Sequence, residues 1–436
     1  TVRFVFDREY AKTWVVMNQL SLITPMPKAW DRTAGGPANA SRDVVDVPAV
    51  YDYLVSENGE WTAEDNELRT RWPDSPVWSV VNGPWRLRRF DLDGTVTFVP
   101  NEHYSGPNQP YLDEFRQVPV RSEDELVHTL RTDPQAIQVG YLPFDVAAPD
   151  DALAAHYRLV PQEVSCVRYT PFNFANTGVA GRIVRQAYFR QALQSCLDQD
   201  WAIREIYHGH ASRTDGPVPG RGTPRWPFDI KKARELLTAN GWDVSTTPAV
   251  CVRPGAGPGH AGAGIESGAR LSFTVRYVQG KPALVKMLDR LVTDAAAAGI
   301  ELRLQPVFGS VMVAEDHSAG PGKHRWEINS WNGGWVFFGL PTGELLFKTG
   351  AGSNWAGYSD PRADELIEQT VRSDDPRALA DYHDYLAEEV PALWTPGFPL
   401  RLLQVAKNLR GIEPINPFGM INPENWHYAD TAAVTR

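Results

Sequence analysis

The sequence predicts an α/β protein with at least two lobes, and three observations carry that prediction. Residues 271–304 run as an alternating strand, an amphipathic helix and a second alternating strand. That order is a βαβ unit, with a parallel strand pair and a right-handed crossover. Apolar residues recur at helical spacing in several further segments, separated by strand-like runs. The length, 436 residues, exceeds the roughly 250–300 residues that one hydrophobic core sustains.

The elements follow in chain order. Val2, Phe4 and Phe6 alternate with Arg3 and Val5, which predicts a half-buried strand at the start. A strand there needs partners, so the chain is expected to begin in the middle of a domain, as a mature, truncated or partial sequence, and no secretory signal is expected in it. Residues 22–27 read as a short extended run ended by prolines, 34–37 as a loop and 50–58 as a short helix. Asp93-Gly94 is a hairpin signal before the alternating run Thr95-Val96-Thr97-Phe98-Val99. Ser122 with Glu125 three residues on is a capping-box pattern for a helix over 122–131.

Residues 181–209 hold the strongest helical periodicity, with two helices expected to meet near Asp198-Gln199-Asp200. Asp229 is placed to cap a helix running through Asn240 and stopped by Gly241. Residues 246–269, rich in Gly and Pro, predict a surface loop. Within the βαβ unit the helix covers 282–298 and Gly299 ends it. A further strand is predicted over 326–331, then helices over 361–373 and 376–389.

Composition narrows the function. The net charge of −10 argues against a nucleic-acid binder, whose affinity rests on clustered Lys and Arg. No run of 18 apolar residues codes a transmembrane helix. Cys166, Cys196 and Cys251 are too few for a disulfide scaffold and form no CxxC. His208-Gly209-His210 is the nearest approach to a metal pattern and reads as a solvated turn. There is no GxSxG, no GxxxxGK[ST] and no GxGxxG opening a helix after a strand. The 15 Trp, 15 Tyr and 17 Phe fit either a large core or a ring-lined ligand cleft, and composition alone favours the core.

One stretch carries a resemblance. Val81-Asn82-Gly83-Pro84-Trp85-Arg86-Leu87 precedes a strand, then Asn101-Glu102-His103-Tyr104-Ser105-Gly106 and Pro110-Tyr111-Leu112-Asp113. Arg190-Gln191-Ala192-Leu193 through Asp198, the helix from Asp229 to Trp242, and Tyr358-Ser359-Asp360-Pro361 through Ile367 follow in order. Together these resemble the family 5 extracellular solute-binding proteins, the peptide- and nickel-binding components of ABC importers, with an actinobacterial flavour in Trp331-Asn332-Gly333-Gly334-Trp335 and Ile421-Asn422-Pro423-Glu424-Asn425-Trp426.

The resemblance implies a two-lobe type II periplasmic-binding-protein fold in its large three-domain variant, lacking its amino-terminal part. It divides the chain into a remnant at 1–75, lobe I at 76–164, lobe II at 165–395 and a return to lobe I at 396–436. It implies a non-catalytic subunit that holds a peptide or similar solute between lobes and delivers it to permease subunits. No cofactor or metal is implied. The protein would act as a monomer outside the membrane, held by a lipid anchor that lies outside this chain. A sensor or scaffold on the same fold is the second reading, and a glycosidase the third.

For the site, the resemblance places Tyr169, Phe172, Asn173, Trp331, Asn332 and Trp335 on the cleft wall of lobe II and Tyr141 on that of lobe I. By residue type alone Phe172 and Trp394 read as core, and Trp355 as packing. Many peptide binders of the family hold the peptide amino terminus with an Asp just after a Trp-containing strand. The matching stretch at 331–335 has no carboxylate, so an uncharged or differently oriented ligand is expected, such as a blocked peptide or a sugar-containing molecule. Related sequences carry cysteine pairs near 251–260 and 317–324, where this chain has Cys251 with His260 and His317 with His324. Cys166 and Cys196 are expected as buried thiols, with pairing the alternative.

Overall fold

A computed structural model describes residues 3–23, 27, 30, 46–58, 66–144, 151–220, 224–317, 325–331, 333–337, 339–399, 401–413 and 421–429. The chain divides into two compact units. The larger comprises Thr1–Leu22, Phe144–Ala148 and Glu163–Leu400; the smaller comprises Ile23–Pro143, Pro149–Gln162 and Arg401–Arg436.

The centre of the larger unit is the βαβ element. Strand Ser272–Val278 pairs in parallel with Glu301–Val307 on one side and with Ile328–Ser330 on the other. Helix Pro282–Ala298 makes the crossover, with Leu284, Met287, Leu288, Leu291, Ala295 and Ala298 buried at helical spacing. Pro282 opens it, and Gly299 ends it at φ 94°, a conformation that a side chain would resist. Phe273 stacks on Phe189 at 4.7 Å, joining this sheet to the helices that precede it.

A second sheet grows from strand Cys166–Pro171. Gly334–Val336 pairs antiparallel with its first half and Ala392–Trp394 with its second. Helix Ala187–Gln194 fastens this sheet through two side chains one turn apart. Gln194 donates from Nε2 to the Trp394 carbonyl at 3.1 Å and accepts the Trp394 N–H at 2.8 Å, so its amide substitutes for a strand neighbour. Arg190 is 2% exposed. Its Nε donates to the Glu389 and Val390 carbonyls, its Nη1 to the Val184 carbonyl and its Nη2 to Glu389. Those carbonyls lie at the ends of helices Val179–Val184 and Pro376–Glu389, where no intrahelical N–H is left to serve them.

In the smaller unit strands Trp85–Phe90 and Val96–Pro100 form the hairpin predicted from Asp93-Gly94, with Gly94 at φ 90°. Arg401–Ala406 runs antiparallel between Val139–Leu142 and Tyr157–Gln162. Ser122 caps helix Glu123–Thr132 by accepting the Glu125 N–H, and Glu125 reaches back to the Arg121 N–H at 2.7 Å.

Several expectations are corrected. Residues 3–6 form no strand and are exposed, because an alternating run becomes a strand only where a partner edge meets it. Residues 181–209 hold three helices, not two: Val179–Val184, Ala187–Gln194 and Gln199–Glu205. The extra break is at Gln186, which is extended, and the apolar face resumes beyond it, so periodicity alone hides the break. Residues 246–269 are not merely a surface loop. Val250–Cys251 pairs with Trp242–Asp243, and Ala249, Ala261 and Ile265 are buried. Cys166, Cys196 and Cys251 are all free and buried. The extended run and loop expected at 22–27 and 34–37 lie largely outside the described residues, while the short helix spans Val47–Asn58. Among the described residues no helix is long and apolar enough to cross a membrane.

Replacing Arg190 with Met should lower unfolding stability by about 3 kcal/mol, since it strands several buried acceptors and leaves Glu389 unpaired. Arg190→Lys should rescue little, because an ammonium cannot reproduce the planar fork. Urea titration of the three proteins checks this; a loss under about 1 kcal/mol for the Met variant would show that the clamp is dispensable.

Candidate functional site

A pocket of about 310 Å³ opens within the larger unit. Seven aromatic residues line it, and Asp316 is the one charged residue on its wall among the described residues. Three segments build most of the wall, with Asp316 and the pair Pro391-Ala392 completing it.

The first is strand Cys166–Pro171, which contributes Tyr169 and Pro171. Alternation along the strand sends Tyr169 to the pocket face while Thr170 is buried and donates its hydroxyl to Ser330. The second is the stretch from Trp326 to Trp335. Gly334 is required by the pairing itself: any Cβ would collide with the Val167 carbonyl and the Cys166 sulfur. Gly333 has room beside it, the nearest atoms to an added Cβ being those of Trp331 at 3.9 Å. The third is the loop carrying Phe347, Trp355 and Tyr358. Asn354 organises it, donating to the Lys348 and Tyr358 carbonyls and accepting the Tyr358 N–H. The Phe174 N–H then donates to the Ala356 carbonyl at 2.8 Å and ties the loop to the exit of the first strand.

The rings meet in three groups. Tyr169 meets Phe347 edge-on at 6.0 Å, and Phe347 rests on the buried Trp394 at 5.8 Å. Trp331 faces Trp355 at 5.9 Å with planes 57° apart. Tyr358 packs against Phe174, over which the Arg190 guanidinium sits at 5.3 Å from the ring centre. The clamp described above therefore supports the pocket wall through one intervening ring.

Asp316 comes from helix Gly309–His317 and is 2% exposed. Each of its oxygens accepts from Nδ2 of Asn329 at 2.8 Å. Burial pushes its carboxyl up to about 6, against the downward pull of the Asn329 amide and the nearby Arg276. Burial also raises the Tyr169 hydroxyl well above its ordinary value, so that ring stays neutral.

The structure brings Tyr169, Trp331 and Trp335 together on this wall. Phe172 is fully buried, touches Phe189, and belongs to the core; alternation puts it on the face opposite Tyr169 and Pro171. Asn173 is also fully buried and acts as a bracket, donating to the Trp326 carbonyl at 2.8 Å and accepting the Ala175 N–H at 3.0 Å. Asn332 lies outside the described residues. Tyr141 is in the smaller unit, on strand Val139–Leu142, with Arg401 over its ring at 5.2 Å.

Sequence reasoning missed most of the wall, including Trp326, Phe347, Trp355, Tyr358 and Asp316. Trp355, expected as packing, faces Trp331. Tyr358 belongs to a block already singled out, which was a usable signal. Phe347 and Asp316 carried none: the helix 309–317 has little amphipathic pattern, and nothing adjacent to Asp316 marks it. The stretch 331–335 has no carboxylate, and Asp316 supplies one to the pocket from another element. His208-Gly209-His210 is a tight turn with positive φ at His208 and Gly209, and no group of three or more His, Cys, Asp or Glu among the described residues is placed to hold a metal.

The chain matches the model of bacterial extracellular solute-binding proteins, family 5, middle, over residues 1–356. It is 26% identical over 313 residues to protein XP55 of Streptomyces lividans, covering 69% of this chain and 52% of that protein. It is 24% identical over 344 residues to the glutathione-binding protein GsiB of Escherichia coli O1:K1, covering 76% and 61%. The oligopeptide-binding protein AppA of Bacillus subtilis, solved with a nonapeptide, superposes with a TM-score of 0.61 at 19% identity, covering 80% and 66%. The chain thus spans about half to three-fifths of the length of these two relatives, and its fold is the type II periplasmic-binding-protein fold.

With its carboxyl raised to about 6, Asp316 binds a proton more tightly in the folded protein than in the unfolded chain. Stability should therefore fall as pH rises from roughly 4 to about 6, and Asp316→Asn should remove that part of the fall. Urea midpoints at both ends of the window test this; equal drops in the two proteins would mean the carboxyl ionises normally.

Proposed function

Because the chain belongs to the bacterial extracellular solute-binding proteins of family 5, we propose that it captures a peptide or similar small solute for delivery to an ABC permease, with the ring-lined pocket of the larger unit as a contact surface. The observation that carries this reading is the pocket itself: concave, mostly aromatic, with a few fixed polar groups, as ligand sites are built. Tyr169, Trp331, Trp335 and Trp355 are its contacts in this reading. Asn173 is a support behind them, and Asn332 and Tyr141 are assigned as further contacts. Rings suit the task because they supply contact area at little entropic cost. The names of two relatives, the glutathione-binding protein GsiB and a di/tripeptide-binding protein of Pseudomonas aeruginosa that is 23% identical over 353 residues, point to short peptides. We place the protein outside the membrane, as a monomer held by a lipid anchor, and assign it no catalytic step.

Thermal melting against a panel of di- and tripeptides, free and amino-terminally blocked, should show a raised midpoint for at least one member. Trp331→Ala should weaken that peptide at least about tenfold, as truncation of a central aromatic contact does. A panel with no shift at millimolar concentration would reject a short peptide as the solute.

A further inference from the structure

The pocket pairs an unusual polar inventory with its rings. Among the described residues its single charge is negative: Asp316, on a wall otherwise made mainly of aromatic and aliphatic residues. Several of its polar groups are committed elsewhere, while the Tyr358 hydroxyl and the Trp326 indole N–H have no hydrogen-bond partner among the described residues. Both Asp316 oxygens already accept from Asn329. The Asn354 amide is spent on the Lys348 and Tyr358 backbone, and the Trp355 N–H donates to the Gly352 carbonyl.

A primary ammonium entering this space would need acceptors for three N–H groups. It would surrender tightly held water for a wall that offers few such partners. A neutral solute would leave the buried carboxylate with only Arg276 nearby, a guanidinium already paired with Glu315. A cation without N–H donors meets both conditions. It interacts with ring faces, and a carboxylate close by balances its charge. Trp331 and Trp355, with planes 57° apart, present two differently oriented faces, and Tyr169 and Phe347 present two more.

We propose that this pocket selects a solute bearing a quaternary ammonium group, held by ring faces and balanced by Asp316. The proposal rests on the solute-binding reading and names its ligand class. Choline, ethanolamine and 3,3-dimethylbutan-1-ol form a matched set of probes. The second carries a primary ammonium, and the third is a neutral isostere of the first.

Isothermal titration of the wild-type protein should give choline at least about tenfold tighter binding than either of the others. Asp316→Asn should weaken choline by a similar factor and leave the neutral isostere unchanged. Trp331→Phe, which keeps a ring face, should retain more choline affinity than Trp331→Leu. Ethanolamine or the isostere equalling choline in the wild type overturns the proposal without any variant needing to fold. If peptides raise the melting temperature while the probes are not discriminated, the ligand class alone is wrong. If neither peptides nor probes bind, the solute-binding reading falls with it.

Discussion

A buried guanidinium organises the larger unit. Arg190 is almost wholly removed from water and is satisfied by the carbonyls of Val184, Glu389 and Val390 and by the Glu389 carboxylate. Removing an ion from water is costly, so such a group persists only where its hydrogen bonds are complete. Its partners come from positions about 200 residues apart in the chain. The clamp also fixes Val390, a β-branched residue held at φ 48° and ψ 60°, a conformation that such residues rarely adopt. Pro391 and Ala392 follow directly and form part of the pocket wall.

Around this point the helix Ala187–Gln194 acts as a rail. Arg190 holds the helix ends, Gln194 holds Trp394, and Gln199 beyond the helix donates to the same Trp394 carbonyl. Trp394 in turn lies beneath Phe347, and Phe347 beneath Tyr169. Positioning of the exposed rings is therefore inherited from buried amides. The pocket faces consist of aromatic surface, while the hydrogen bonds that place them are hidden behind.

Local signals in the sequence were read well where one residue type has one physical use. Ser122 and Asp229 each cap a helix by accepting an N–H in its first turn. Gly299 ends the crossover helix in the left-handed region, and the alternating runs on either side of that helix became a parallel pair. The candidate site was only half legible. Trp331 and Trp335 stood out as large rings beside glycines, while Tyr169 came from the family resemblance. Phe172 and Asn173 follow directly after the strand that carries Tyr169, but alternation sends Phe172 to the opposite, buried face, and the Asn173 side chain is taken up by the backbone of Trp326 and Ala175. Asp316 reaches the pocket through tertiary packing of a helix whose own pattern is faint, and no spacing rule connects it to strand 328–330.

The three thiols have a use of a different kind. Cys166 lies in the pocket strand, Cys196 just after the rail helix, and Cys251 in the short hairpin beside the crossover helix, and all are buried and unpaired. Burial raises each thiol above its ordinary value, which suppresses the reactive thiolate. An alkylating reagent therefore meets them only when the surrounding structure opens. The protein carries three built-in clocks of local unfolding, one in each of three neighbouring layers. It also offers a silent background on which a single cysteine introduced at the pocket rim would take a fluorophore alone.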